Sequence, residues 1–172
     1  QPFALPLPLP LVFGSKACTP PLAASAVAVG NFDGVHLGHA AIARRLRGAA
    51  DRAGVPAVAL TFDPHPAAIV RPGMAPLPLT TPARRAELLL ALGLDAVLVQ
   101  PAVPALMQLT AESFYQQILR GRLAALAFVE GRDFRFGAGR AGDVALLARL
   151  AEADGASLEV VDPVLVDGEP VS

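Results

Sequence analysis

Short apolar runs alternate with helical patterns along most of this chain, and this alternation limits the folds it can adopt. From Ser25 onward, the strands predicted from the runs are Ala26–Val29, Ala57–Phe62, Ala96–Val99, Leu126–Val129 and Leu158–Val161. Helices are predicted between them near Gly38–Ala53, Pro82–Leu92, Ala111–Arg120 and Asp143–Ala153. Strands that are apolar throughout are typical of a parallel sheet covered on both faces. The sequence therefore predicts an α/β protein with a mostly parallel, doubly wound sheet.

The segment from Val27 to His39 has the pattern of a strand, a glycine-containing turn and the start of a helix. Such a turn leaves backbone N–H groups unpaired at a helix N-terminus, where the helix dipole also favours negative charge. His36 and His39 add side-chain donors, and their spacing of three residues predicts that both lie on one face of the helix. We therefore interpret the turn as a nucleotide-phosphate site in which two imidazoles stabilise charge on one phosphate.

Two other interpretations of the histidine pair remain open from the residues alone. A zinc site needs three or four protein ligands, and the rest of the chain offers only His65 and one cysteine, Cys18. The histidines could instead be structural, with their imidazoles bonded to nearby backbone. The glycines and Asp33 at the mouth of a strand–turn–helix unit favour the phosphate site.

Two further polar segments follow predicted strands and should therefore reach the same edge of the sheet. In Phe62–Pro66, prolines on either side of His65 restrict the backbone, which suits either a fixed ligand-binding edge or a stiff crossover loop. Gly131–Gly137 combines Asp133 with two aromatic residues, features that suit a heteroaromatic ligand but also a packed core.

The composition of the chain indicates which classes of binding partner it can have. The 172-residue chain has a formal net charge of −1, which gives no electrostatic case for nucleic acid or for an anionic membrane surface. Apolar residues never form an unbroken span of about twenty, so no transmembrane helix is predicted. The single cysteine fits a reducing compartment. We expect a cytoplasmic enzyme domain with small-molecule partners.

The first 24 residues differ from the rest of the chain. Prolines punctuate this nearly uncharged stretch, which predicts an extended or polyproline-like arm that lies along the domain. We therefore divide the chain into an N-terminal arm, residues 1–24, and a single domain, residues 25–172.

Several motifs resemble one enzyme family. The run GNFDGVHLGH, from Gly30 to His39, looks like the H-x-G-H signature of nucleotidyltransferases. Its longer form resembles the adenylyltransferase module of bacterial riboflavin kinase/FAD synthetases. Thr61–Pro66, Leu79–Thr81 and Gly131–Gly137 resemble the second, third and fourth motifs of that family, in the expected order. The resemblance covers roughly Ala26 to Ser172 and implies a Rossmann-like nucleotidyltransferase domain.

The resemblance also implies an activity, in which the 5′-phosphate of FMN attacks the α-phosphorus of ATP to give FAD and pyrophosphate. Mg²⁺ would accompany ATP, and no metal site of the protein's own is expected. The catalytic residues would be His36 and His39. The ATP-binding residues would be Gly30, Asn31, Phe32, Asp33, Gly34, Gly38 and Arg140. The FMN-binding residues would be Pro64, His65, Pro66, Asp133, Phe134 and Phe136.

The chain departs from the family pattern at its end. It stops at Ser172, where a serine-rich segment with a downstream arginine would be expected to complete the nucleotide site. It contains no riboflavin kinase module, which could follow in a longer parent chain, so no kinase activity is predicted. Two alternatives to FMN adenylylation stay open: a related nucleotidyltransferase with another phosphorylated acceptor, and a catalytically incomplete module that binds flavin or nucleotide.

Overall fold

The computed structural model describes residues 7–171, and its centre is a six-stranded sheet. The strands lie in the order β1-β4-β3-β2-β5-β6, and all neighbours are parallel except β1 and β4. Their bounds are β1 Leu11–Gly14, β2 Ser25–Val29, β3 Ala57–Asp63, β4 Ala96–Pro101, β5 Ala125–Gly131 and β6 Ser157–Val161. A separate hairpin pairs β7, Leu165–Val166, with β8, Glu169–Pro170.

Helices connect the strands in the manner of a doubly wound fold. They are α1 Leu37–Ala53, α2 Pro66–Val70, α3 Pro82–Ala91, α4 Pro104–Met107, α5 Ala111–Phe114 and α6 Val144–Ala153. A π-helix, Tyr115–Arg122, continues α5, and short 3₁₀ turns occupy Lys16–Cys18 and Ala138–Arg140. Among residues 7–171, no helix combines the length and the apolar character needed to cross a membrane.

Side chains of alternate strand residues point to opposite faces of the sheet and pack into two separate hydrophobic cores. On one face, small residues such as Ala28 and Ala59 pack against Leu46 of α1 and Leu89 of α3. On the other face, larger side chains such as Leu60 and Phe128 pack against the π-helix and α6. Because β2, β3 and β4 are buried on both faces, their sequences are continuously apolar.

The order of the strands reverses between β2 and β5, and this reversal locates the crevice used for binding in such folds. The parallel pairing of these strands is last seen at Val27 with Phe128. Beyond that point the chain of β2 turns into α1 while β5 runs on to Gly131. The predicted α/β fold with a mostly parallel, doubly wound sheet is confirmed.

Some local predictions need correction. The N-terminal arm is not only an extended segment: Leu11–Gly14 forms the antiparallel edge strand β1, while residues 1–6 lie outside the described part. The helix predicted over Ala111–Arg120 is α-helical only in its first turn and then becomes π-helical. The segment after Pro64, for which a ligand-binding edge and a stiff crossover loop were both open, contains the short helix α2. The hairpin of β7 and β8, which the predicted strands did not include, turns at Asp167 and Gly168.

Arg122 fixes the arm that precedes β1. Its guanidinium donates hydrogen bonds to the backbone oxygens of Leu7 and Pro8, and the second of these is 2.8 Å long. Gln100 of β4 donates a further bond of 2.8 Å to the Pro8 oxygen. The substitution Arg122→Met removes charged donors worth about 1.5–3 kcal/mol each. We expect amides of β1 to exchange with deuterium faster in this variant.

The control for this experiment is Arg149→Met, because Arg149 is an exposed residue of α6. Equal exchange rates of the β1 amides in both variants would contradict the role given to Arg122.

Candidate active site

The two histidines of the glycine-containing turn form a reciprocal cap on α1. His36 is the N-cap residue, and its Nδ1 accepts hydrogen bonds from the N–H groups of Gly38, at 3.1 Å, and His39, at 3.3 Å. In return, Nδ1 of His39 accepts from the N–H of His36 at 3.2 Å. A capping box normally uses Ser or Thr with Glu or Gln, and here two imidazoles take both roles.

This cap sets which nitrogen of each ring carries the proton. Since both Nδ1 atoms accept hydrogen bonds, the neutral rings carry their proton on Nε2. The rings are stacked, with centroids 3.6 Å apart and an angle of 16° between their planes. No hydrogen bond joins either Nε2 atom to any residue from Leu7 to Val171. The site therefore presents two adjacent N–H donors.

The surroundings keep these imidazoles uncharged. Burial, and after it the neighbouring His36, lower the pKa of His39 to about 4. Burial also lowers the pKa of His36 from its ordinary value. At neutral pH both side chains are hydrogen-bond donors without a formal charge.

Gly38 is required beside the cap. A Cβ atom at this position would lie 2.9 Å from Cε1 of His36 and 3.1 Å from its Nδ1. The absent side chain therefore makes room for the ring of His36 to fold back over the first turn of α1. Gly38 also lines the cavity described below, so its predicted place beside ATP stays a prediction.

Asp33 joins the histidine turn to the segment before α3. Its carboxylate accepts from the N–H of Leu79 at 2.9 Å, and from the N–H and hydroxyl of Thr80 at 2.9 and 2.7 Å. Burial alone would raise the pKa of Asp33, but these hydrogen bonds and the charge of Arg85 hold it below its usual range. Asp33 thus fixes the loop before α3 to the histidine turn.

Arg85 of α3 is a functional candidate that sequence reasoning missed. It is buried, and its Nη1 donates to the hydroxyl of Thr61 at 3.0 Å and to the oxygen of Phe62 at 3.2 Å. Thr61 in turn donates to the backbone oxygen of Asn31 at 2.9 Å. The sequence did contain a signal for its burial. Arg85 lies four residues before Leu89, so both lie on the buried face of α3. Arg85 therefore connects the end of β3 with the histidine turn.

A cavity of about 260 Å³ lies beside the histidines, at the carboxyl ends of β2, β5 and β6. The predicted site residues that line it are Gly30, Phe32, His36, Gly38, His39, Asp133 and Phe134. The terminal hairpin contributes Pro170 and adjoining residues to the wall. The cavity therefore brings together the first and fourth motifs.

Glu130 also lines this cavity and was not predicted. It is the last residue before Gly131 in β5, and only 2% of its surface is exposed. The signal in the sequence was a carboxyl side chain directly after an apolar strand.

Other predicted residues lie apart from the cavity lining. Phe136 is in the core, stacked on Phe134 with ring centroids 5.4 Å apart. Arg140 is exposed in the 3₁₀ turn after Gly137 and is not part of the lining. Asn31, Asp33 and Gly34 belong to the turn itself rather than to the cavity wall.

The segment Pro64–Pro66 lies at the same edge of the sheet but outside the cavity. His65 is the N-cap residue of α2, and its Nδ1 accepts from the N–H of Ala67 at 3.0 Å. Burial lowers the pKa of His65, while the charges of Asp33 and Arg85 act on it in opposite directions. These interactions place His65 beside the network that joins the turn to α3.

A larger cavity, of about 540 Å³, lies at the opposite edge of the sheet, where β3 and β4 begin. Its charged groups are already paired, since Arg47 binds Asp51 and Asp95 at 2.8 Å each. Burial raises the pKa of Cys18 there. None of the predicted site residues line this cavity. Within residues 7–171, no three side chains of His, Cys, Asp or Glu are grouped to hold a metal ion.

The lowered pKa of His39 predicts a pH dependence of stability. Between the ordinary value of 6.5 and about 4, the unfolded chain binds a proton at this residue that the native chain does not. The contribution of neutral, buried His39 to the free energy of unfolding is therefore fully present above pH 6.5. It is lost as the pH falls toward 4. We expect the melting temperature of the wild-type chain to fall across this window more steeply than that of His39→Asn. If the melting temperatures of both chains fell equally with pH, the lowered pKa assigned to His39 in the cap would be contradicted.

Comparison with known proteins gives a consistent result. The sequence profile described as FAD synthetase matches residues 19–172. The chain is 38% identical over 144 residues to a bifunctional riboflavin kinase/FMN adenylyltransferase of Pseudomonas fluorescens, covering 84% of this chain and 46% of that protein. It is 36% identical over 121 residues to the protein of the same name from Escherichia coli strain K12, covering 70% and 39%.

A solved structure has the same fold. It is described as a macrolide-efflux protein from Streptococcus pneumoniae, and it superposes with a TM-score of 0.74 at 25% identity, covering 86% of this chain and 48% of that one. The chain spans less than half the length of the curated relatives named above. The resemblance inferred from four motifs is confirmed by the match over residues 19–172, and the chain belongs to the FAD synthetase family.

Proposed function

We propose that this chain transfers the AMP group of ATP to FMN, giving FAD and pyrophosphate. The observation that carries the proposal is the pair of stacked imidazoles, whose Nδ1 atoms are held by backbone N–H groups beside a cavity at the switch point. Such an arrangement presents hydrogen-bond donors in fixed positions, which is what an in-line displacement at phosphorus requires. Membership in the FAD synthetase family supports FMN as the acceptor.

The reaction needs no nucleophilic side chain. An oxygen of the FMN 5′-phosphate forms a bond to the α-phosphorus of ATP, and the bond from that phosphorus to the bridging oxygen of pyrophosphate breaks. The attacking oxygen is already ionised at neutral pH, so no general base is required. The Nε2–H groups of His36 and His39 would donate to α-phosphate oxygens as negative charge accumulates there.

We propose that Mg²⁺ enters with ATP and is held chiefly by phosphate oxygens. The carboxyl groups of Asp33 and Glu130 already accept hydrogen bonds from backbone N–H groups. Mg²⁺ would neutralise part of the triphosphate charge and help the departure of pyrophosphate.

The flavin is proposed to contact the segments that follow β5 and β3, the two strands on either side of β2. Asp133 and Phe134 line the cavity and offer a carboxylate and an aromatic face. Pro64, His65 and Pro66 follow β3 at the same edge and share the Asp33–Arg85 network. The relatives are bifunctional and longer, so we also propose that a riboflavin kinase domain follows in a longer parent chain. Use of ATP and the single cysteine suit action in the cytoplasm.

The histidine roles are tested by FAD formation. Incubation of the chain with FMN, ATP and Mg²⁺, followed by chromatography, should yield FAD. His36→Ala and His39→Ala each remove one donor and half of the cap, so we expect the rate to fall about 10²-fold or more in each variant. Arg44→Ala is the matched control, because Arg44 is an exposed residue on the same helix.

Folding of each variant is checked by circular dichroism. Retention of near wild-type rates in both folded histidine variants would contradict the proposed chemistry, and absence of FAD with the wild-type chain would contradict the proposed function.

The Asp33 network gives a second test. Asp33→Ala removes the acceptor of the Leu79 and Thr80 N–H groups, which frees the loop between α2 and α3 from the histidine turn. We expect kcat to fall while the pH dependence of the rate stays unchanged, because Asp33 positions the loop and does not transfer protons. The more conservative Asp33→Asn keeps one acceptor oxygen and should lose less. An altered pH profile would show a proton-transfer role instead.

A further inference from the structure

The guanidinium of Arg85 links α3 to the ends of two strands. Its Nη1 donates to the hydroxyl of Thr61 and to the backbone oxygen of Phe62, both near the end of β3. The Thr61 hydroxyl in turn donates to the backbone oxygen of Asn31, just after β2. Nη2 of Arg85 lies 3.9 Å from Oδ1 of Asp33. Arg85 therefore reaches the histidine turn, residues 30–36, by two routes.

The burial of this guanidinium is costly. Only 6% of Arg85 is exposed, and the carboxylate paired with it is not within hydrogen-bond distance. Its Nε is buried and has no hydrogen-bond partner within residues 7–171, and the same is true of Oδ1 of Asn31. A buried charge and an unpartnered buried polar atom both cost free energy, which an apolar side chain would avoid. Stability therefore does not explain an arginine at this position.

The histidine turn is strained and needs external support. Phe32 and Val35 have φ values of 50° and 44°, in the left-handed region that residues with a Cβ atom disfavour and β-branched residues disfavour most. Such conformations persist only where the surrounding contacts hold them in place. The turn leads directly into the N-cap residue His36. The contacts that hold the turn therefore determine where the two imidazoles lie.

Arg85 acts on these contacts at two points. Because the Thr61 hydroxyl gives its proton to Asn31, its oxygen accepts from Arg85, and this pairing fixes the orientation of the hydroxyl. At the middle of the turn, the charge of Arg85 faces the carboxylate of Asp33, which is bound to the loop before α3. One side chain thus supports both the start and the middle of the strained turn.

We propose that Arg85 is a positioning residue for adenylyl transfer, because it holds the strained turn in the conformation that places His36 and His39 beside the reacting phosphate. This inference rests on the proposed function, in which these histidines stabilise the transition state. Arg85 is not part of the cavity lining, so it acts through Thr61 and Asp33 and not on a substrate.

The test replaces Arg85 with methionine, which keeps an extended side chain and removes the charge and the donors. A misplaced catalytic group is costly, so we expect kcat for FAD formation to fall about 10- to 10²-fold. The KM values for ATP and FMN should stay within about threefold of wild type, because the lost alignment matters chiefly in the transition state. The melting temperature should stay within about 4 °C of wild type, since the substitution also removes a buried charge.

Two further variants separate positioning from a general effect on the fold. Arg85→Lys keeps a charged donor, so its kcat should lie between those of wild type and Arg85→Met. Arg84→Met is the matched control, because Arg84 is the neighbouring residue of α3 but is exposed and paired with Glu87 at 2.9 Å. Its kcat should equal that of the wild type.

Amide hydrogen exchange gives a measurement that does not depend on activity. The N–H groups of Gly38 and His39 bind Nδ1 of His36, so they should exchange faster in Arg85→Met than in Arg84→Met. Equal exchange of these amides in the two variants would overturn the inference.

The kinetic results can also overturn it. A folded Arg85→Met chain with wild-type kcat would do so and leave the proposed function standing. The same holds if kcat fell only in proportion to the unfolded fraction, or if KM rose while kcat stayed unchanged. Absence of FAD with the wild-type chain would overturn both the inference and the proposed function.

Discussion

The reciprocal hydrogen bonds between two imidazoles and the first turn of α1 determine the chemistry of this site. Each Nδ1 is held by a backbone N–H group, so the proton of each ring is confined to Nε2. The rings stack with their centroids 3.6 Å apart, so the two donors belong to rings in contact. A structural cap and a phosphate site, which were alternatives from sequence, are compatible here, because the cap uses the Nδ1 edge of each ring and the proposed donors are the Nε2–H groups.

Further contacts secure the cap to the sheet. Asp33 attaches the turn to the residues before α3, and Arg85 connects that helix with the end of β3. On the other side, Glu130 joins the ends of β2 and β5. These three buried or half-buried groups hold the histidine turn, the start of α3 and the ends of β2, β3 and β5 in a fixed relation. Charge-assisted and buried hydrogen bonds are well suited to this role because losing one partner leaves the other unsatisfied.

The sequence predicted the elements whose pattern is local. Continuous apolar runs identified the strands of the parallel sheet, and the motif order identified the family that the comparison confirmed. The edge strand β1 was missed because its pairing with β4 depends on contacts far along the chain. Likewise, the burial of Phe136 and the exposure of Arg140 depend on how the loop after Gly131 folds back, which spacing does not encode. Arg85 and Glu130 were missed because charged residues are ordinarily exposed.

The most direct test of this site is the protonation of the two rings, measured by ¹⁵N NMR at neutral pH with single-histidine substitutions for assignment. Chemical shifts typical of a protonated Nε2 and an unprotonated Nδ1 in both His36 and His39 are the predicted result. Protonation of Nδ1 in either ring, or of both nitrogens, would contradict the paired-donor site.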